Sequence, residues 1–127
     1  MKLSFIFIAL FSLLAGCKQA TETSPDVFVI FDIQSDFQND SVKLIVDNKT
    51  FLDSNISTNN LISLAWTSGL HKLTKDNHLM KFSMPILNSQ KEFNIDTSND
   101  TSNVIIRYHR STNEIEISQV KGVVLYE

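Results

Sequence analysis

Hydrophobic and polar positions follow two different patterns along this chain of 127 residues. From Leu3 to Leu14 the chain is apolar except at Ser4 and Ser12, and it lacks the polar stripe of an amphipathic helix. From Val27 onward, apolar and polar residues alternate with the period of two that is typical of strands with one buried face. We therefore divide the chain into a leader and one β-rich domain.

The first half of the domain predicts a central strand followed by a hairpin. Val27–Gln34 has apolar residues on both faces for half its length, as expected of a strand covered on both sides. Val42–Val46 alternates, Asp47–Lys49 marks a turn, and Thr50–Asp53 returns. A two-residue and a three-residue loop fit this turn equally well, so the register of the hairpin stays open.

Further strands are predicted along the rest of the chain. The predicted strands are Ile56–Thr67, which ends at Ser68-Gly69, then His78–Ile86, Phe93–Ile95 and Gly122–Tyr126. In the strand His78–Ile86 we expect Ile86 to face the core with the other apolar residues. The segment Leu70–Asn77 fits either a strand or an irregular crossing.

The most specific prediction concerns the hairpin that turns at Ser111-Thr112. Pairing across this turn places apolar residues opposite apolar residues on one face and opposite charges together on the other. A slip of one residue would spoil both faces at once, so we expect a single register. The predicted pairs are Tyr108 with Ile115, Ile106 with Ile117, His109 with Glu114 and Arg107 with Glu116.

Together these elements predict an all-β fold. About 7–9 short strands with frequent turn signals indicate an antiparallel two-sheet sandwich of immunoglobulin-like or transthyretin-like size. A small closed β-barrel is the alternative.

The leader has the build of a secretory signal. A charged start at Lys2, an apolar run of about a dozen residues and small residues at Ala15 and Gly16 are its usual parts. The run is too short to cross a bilayer, which needs roughly 20 apolar residues in a helix. Cys17 follows directly, and as the only cysteine of the chain it has no internal disulfide partner.

Leu14-Ala15-Gly16-Cys17 resembles the lipobox of bacterial lipoproteins. The resemblance implies a diacylglyceryl group on the sulfur of Cys17, cleavage before this residue, and acylation of the new amino group by a fatty acid such as palmitate. Asp40-Ser41-Val42 also resembles the Asp-Ser/Thr-apolar site of O-glycosylation in Bacteroidota, which points to a small envelope lipoprotein of that type.

The resemblance also implies boundaries and a location. Residues 1–16 form a cleaved signal peptide, residues 17–26 carry the lipid and a flexible tether, and residues 27–127 form a single β-sandwich domain. Position 18 is Lys and not the Asp that retains many such proteins at the inner membrane. The outer membrane is therefore expected, with the periplasmic or surface side left open.

Composition narrows the choice of partners. The whole chain has a formal net charge of −3, and removing the signal peptide removes Lys2 and no acidic residue. Mild acidity argues against a nucleic-acid binder, which would carry a basic patch. The partners we expect are the membrane, through the lipid on Cys17, and a glycan or an envelope protein.

Metal and catalytic chemistry lack support in the sequence. The three histidines, His71, His78 and His109, have no spacing that places two ligands on one strand face. Acidic and amide residues in loops 36–40 and 96–100 could supply oxygen ligands to calcium, and this possibility stays open. Neither a nucleophile elbow nor a glycine-rich phosphate loop is present. We expect no cofactor, no metal site and no enzymatic activity.

Two aromatic residues are candidates for ligand binding. Phe37 stands alone in a polar loop and is expected to be exposed, whereas Trp66 continues an apolar strand face and fits the core better than a binding site. The sequence therefore predicts a non-catalytic binding or recognition module whose loops contact a ligand. The alternative is a structural or assembly subunit that docks another envelope protein through a sheet edge or an apolar patch.

Overall fold

A computed structural model describes residues 26–126 of the chain; Cys17 and the predicted leader lie outside the described residues. These residues form eight strands and one turn of 3-10 helix at Pro85–Leu87. The strands are β1 (Val27–Gln34), β2 (Asp40–Val46), β3 (Lys49–Ile56), β4 (Leu64–Leu73), β5 (His78–Met84), β6 (Ser89–Ile95), β7 (Thr101–His109) and β8 (Glu114–Lys121).

The strands form two four-stranded sheets. Sheet A has the order β4-β1-β7-β8, and sheet B has the order β3-β2-β5-β6. The two sheets pack face to face as a sandwich and do not close into a barrel, which confirms the predicted fold class. One pair departs from the antiparallel prediction, since β1 and β7 run parallel. A parallel pair requires a long crossover connection, and the chain between β1 and β7 supplies one.

Strand alternation fills the space between the sheets. In the two central strands of each sheet, every second side chain points into the space between the sheets, and these side chains are almost fully buried. The inward residues of the four central strands are Val27, Val29, Phe31, Ile33, Val42, Leu44, Val46, Met80, Phe82, Met84, Val104, Ile106 and Tyr108.

Both predicted hairpins are present. The β2–β3 turn has two residues, Asp47 and Asn48, with φ of 48° and 65°, so Val46 pairs with Lys49. Positive φ at both positions is the geometry of a type I′ turn, which aspartate and asparagine tolerate. In the β7–β8 hairpin all four predicted pairs are found, which confirms that register.

The prediction that Ser68-Gly69 ends a strand is wrong. These residues lie inside β4, which continues to Leu73, and they form a bulge where the pairing with β1 shifts between Ile30 and Asp32. The Phe31 amide donates to the Ser68 hydroxyl at 2.9 Å in place of a ladder bond, and Gly69 adopts a φ of 69°. A glycine of positive φ thus allows the strand to bend and continue.

Two other predictions fail where the chain leaves a sheet. Ile86 is 81% exposed, because Pro85 ends β5 and starts the 3-10 turn, so the alternation stops before it. The segment Gly122–Tyr126 is not a strand. It crosses the outer face of sheet A, as described below.

A histidine–aspartate contact ties together two turns at one end of the sandwich. His78 Nδ1 bonds an Asp47 carboxylate oxygen, and its Nε2 bonds the Thr74 carbonyl oxygen at 2.9 Å. Burial lowers the pKa of His78, but the hydrogen bonds to Asp47 and Thr74 and the charge of Asp76 outweigh it, so the pKa of His78 is raised. The hydrogen bond from His78 is the largest effect on Asp47 and lowers its pKa.

We expect this contact to make stability depend on pH in a defined window. Because the pKa of His78 is raised on folding, the charged histidine stabilises the fold below the ordinary pKa of about 6.5. This stabilisation is lost as the pH rises through the pKa of the folded state. Because the pKa of Asp47 is lowered on folding, the aspartate stabilises the fold above about pH 4, and this stabilisation is lost as the pH falls through the pKa of the folded state. The melting-temperature difference between the natural chain and His78→Gln should therefore be largest between about pH 4 and 6.5. A pH-independent difference would contradict this assignment.

Candidate functional site

The structure buries Phe37, and the prediction that it is an exposed contact residue is wrong. Its side chain is 2% exposed, with its ring 5.7 Å from that of Tyr108 and 6.3 Å from that of Phe82. The backbone of the loop is fastened from the other side, because the Phe37 amide donates to the Thr58 hydroxyl at 3.0 Å. The loop therefore closes one end of the core and does not present an aromatic ring to a ligand.

Trp66 lies on the inner side of β4. It pairs with Ile33 of β1 and is partly buried against the core. This placement agrees with the core position that its apolar strand face indicated. Phe37 and Trp66 therefore do not form a shared binding surface, and Cys17, the predicted lipidation site, lies outside the described residues.

The histidines and two of the loop acids, Asp40 and Asp96, have structural partners. His71 packs against the Phe51 ring at a centroid distance of 4.6 Å, and His109 bonds Glu116 at 2.9 Å instead of the predicted Glu114. The Asp96 carboxylate accepts a hydrogen bond from the Ser98 amide of its own turn at 2.9 Å. Within residues 26–126, no three His, Cys, Asp or Glu side chains are grouped as a metal ion would need.

The outer faces of the two sheets differ in character. One row across sheet B is polar throughout, and it consists of Asp53, Lys43, Ser83 and Gln90. The corresponding row across sheet A is mainly apolar, and it consists of Leu70, Ile30, Asn103 and Val120. Along this row sheet B presents polar side chains, whereas the row of sheet A has exposed apolar residues at its two ends, Leu70 and Val120, and buried residues between them.

An exposed apolar patch occupies part of the outer face of sheet A. Three of its members lie on strands, and two lie on the segment Gly122–Tyr126, whose alternate side chains point away from the sheet. The members of this apolar patch, with their exposed fractions, are Phe28 (42%), Leu70 (62%), Val120 (38%), Val123 (53%) and Leu125 (82%).

A buried polar cluster lies beside the patch on the same face. Asp32 is only 1% exposed, and its Oδ2 accepts hydrogen bonds from Asn103 Nδ2 at 2.6 Å and from the Tyr126 hydroxyl at 2.7 Å. Gln34 donates to the same hydroxyl and accepts from Arg107 Nε at 3.2 Å. In the sequence, Asp32 interrupts the apolar outer positions of β1. This was the one sign of the cluster.

Tyr126 fastens the C-terminal segment onto this cluster. Burial, and then the hydrogen bond to Asp32, raise the pKa of Tyr126 to about 12 although the contact with Gln34 opposes the change. The hydroxyl therefore stays protonated and keeps donating at neutral pH. At the other end of the segment, the Gly122 amide donates to the Thr101 carbonyl at 2.9 Å. These contacts hold Val123 and Leu125 in place on the outer face.

A polar cleft of about 510 Å³ separates the edge strands β6 and β8. Lys91 of β6 donates to the Ile115 carbonyl of β8 at 3.2 Å, while Gln119 links β8 to the Asp96 backbone farther along. The hydrogen bond from His109, followed by the charges of Arg107 and Lys91, lowers the pKa of Glu116 on the rim. The cleft is lined by Ser89, Gln90, Lys91, His109, Asn113, Glu114, Ile115 and Glu116.

No family model and no curated protein matches the chain. The part of the chain between Asp26 and Tyr126 contains no helix with the length and apolar character needed to cross a membrane.

Proposed function

We propose that this protein is a lipid-anchored component of the bacterial envelope that acts by docking and not by catalysis. The lipobox-like sequence ending at Cys17 supports the anchor, and Lys18 supports an outer-membrane location. The apolar patch on sheet A is the docking surface. The outer membrane side that the domain faces is left to experiment.

The contrast between the two sheet faces carries the proposal. Leu70 of sheet A is 62% exposed and Leu125 of the segment beside it is 82% exposed, whereas Leu79, at 44%, is the one large exposed apolar residue on the strands of sheet B. Exposed apolar side chains grouped on one face of a soluble domain mark a surface that is covered in use. This patch favours the assembly alternative over a recognition module that binds its ligand through Phe37, because Phe37 is buried.

The polar cleft supports recognition of a polar ligand as a second candidate function. Its lining offers an ammonium group, amide groups and carboxylates, the hydrogen-bonding groups that suit a glycan. Its lining residues include no Phe, Tyr or Trp, so the large rings that usually stack on a sugar are missing from it. A screen of envelope glycans against the purified protein distinguishes this candidate from docking.

Photo-cross-linking in the producing cell tests the docking proposal. A photoreactive benzoylphenylalanine in place of Leu70 should give adducts with an envelope component, either protein or lipid, after irradiation. The matched control is the same substitution at Leu61, which is 90% exposed but lies in the loop before β4. Adduct formation at Leu61 equal to or above that at Leu70 would contradict docking through sheet A.

A further inference from the structure

We infer that the occupant of the apolar patch is the lipid surface itself, with sheet A lying against the bilayer to which Cys17 is anchored. The inference rests on the proposed lipid attachment and deepens it by naming the partner. Three observations carry it: the reach of the tether, the division of the sheet A face into an apolar and a polar half, and the charge around the patch.

The tether keeps one end of the domain close to the membrane. Residues 18–26 separate Cys17 from the start of β1 at Val27. Fully extended chain covers about 3.3–3.6 Å per residue, so the ten steps from Cys17 to Val27 reach roughly 36 Å at most. The start of β1 therefore stays within that distance of the bilayer surface in every orientation of the domain.

The strand members of the apolar patch lie in the half of sheet A nearer to that start. Phe28 is the second residue of β1. Leu70 pairs with Ile30, and Val120 lies near the end of β8, which pairs with the beginning of β7. Because β7 runs parallel to β1, these positions all lie in the half of sheet A where the tether enters the domain.

The other half of the same face is polar. Near the end of β1, Gln34 pairs with Arg107, and Arg107 pairs with Glu116. The exposed apolar side chains of the strands therefore lie in the near half of the face, and the far half has no such side chain. This order fits a domain whose near half contacts lipid and whose far half stays in water.

Charges near the patch are balanced, so the contact relies on apolar burial. Lys72, beside Phe28 in the register, forms a salt bridge with Asp26 at 3.0 Å. On the other side of the face, Lys121 and Asp100 carry opposite charges close to the Thr101 end of β7. We therefore expect contact with uncharged, zwitterionic lipid and little effect of salt, unlike binding through a basic patch.

Depth-dependent quenching on vesicles tests the inference. The full lipidated chain, with the mass of its lipid verified, is inserted into phosphatidylcholine vesicles that contain lipid with a bromine-labelled acyl chain. A lipidated Cys17 has no free thiol, so Leu70→Cys and Leu61→Cys each accept one environment-sensitive fluorophore. We expect quenching several-fold stronger at position 70 than at position 61, unchanged between low and high salt. Adding Leu125→Asp to the Leu70→Cys chain should reduce the difference.

The outcomes separate this inference from the proposed function. Equal quenching at both positions would overturn lipid contact. If Leu70 nevertheless forms protein adducts in cells, docking stands and its occupant is a protein. A chain without added lipid mass would overturn the anchor, and the inference with it.

Discussion

The Phe37→Ala variant is expected to lose about 3–5 kcal/mol of the free energy of unfolding, the range measured for buried phenylalanines cut back to alanine. Phe37 is 2% exposed and fills the space between Tyr108 and Phe82. Removing its ring leaves a cavity at the end of the core that the loop, fastened to Thr58, cannot easily close. Urea unfolding followed by the fluorescence of Trp66 measures the loss.

Phe28→Ala is the matched control for that experiment. The chemical change is the same, but Phe28 is 42% exposed on the outer face of sheet A. Its replacement should cost clearly less than the replacement of Phe37, because the lost burial is smaller and no closed cavity forms. Equal losses in the two variants would mean that the loop around Phe37 does not close the core in solution.

Replacing Cys17 by serine is expected to abolish the incorporation of a palmitate tracer and to move the protein from the membrane fraction to the soluble fraction. Serine lacks the sulfur that the lipobox resemblance assigns to the diacylglyceryl group. Two or more acyl chains anchor a protein stably, since each buried methylene contributes about 0.8 kcal/mol.

A Ser24→Ala variant controls for changes near the anchor. Ser24 lies in the predicted tether, after the lipobox, so its replacement should leave both labelling and fractionation unchanged. Continued labelling of Cys17→Ser would refute lipid attachment at this residue. Loss of labelling without release from the membrane would mean that another part of the protein binds the envelope.

Local alternation was enough to predict those parts of the fold that depend on neighbouring residues. The β7–β8 register follows from two facing strands only a few residues apart, whose apolar and charged positions match in one alignment. The β1 bounds follow in the same way from its apolar run. In the β2–β3 hairpin the residue types allowed two loop lengths, and only the backbone angles at Asp47 and Asn48 decide between them.

Contacts between distant residues could not be predicted in this way. Phe37 looks like an exposed loop residue because its neighbours are polar, yet Thr58, far along the chain, fastens the loop over the core. The segment ending at Tyr126 has the composition of a strand, but Gly122, with a φ of 83°, redirects the chain across the sheet. There Asp32 binds the Tyr126 hydroxyl, and the two residues stand near opposite ends of the domain sequence.

The parallel pair of β1 and β7 has a consequence for the way the protein acquires its structure. The strand made first sits at the centre of sheet A between β4 and β7, so it lacks a neighbour on one side until almost the whole chain has been synthesised. Pairing of such remote segments slows folding, because a long loop must close before any contact forms. Until β7 is made and pairs, β1 therefore keeps one edge of unpaired backbone groups, which makes the partly synthesised chain prone to aggregate.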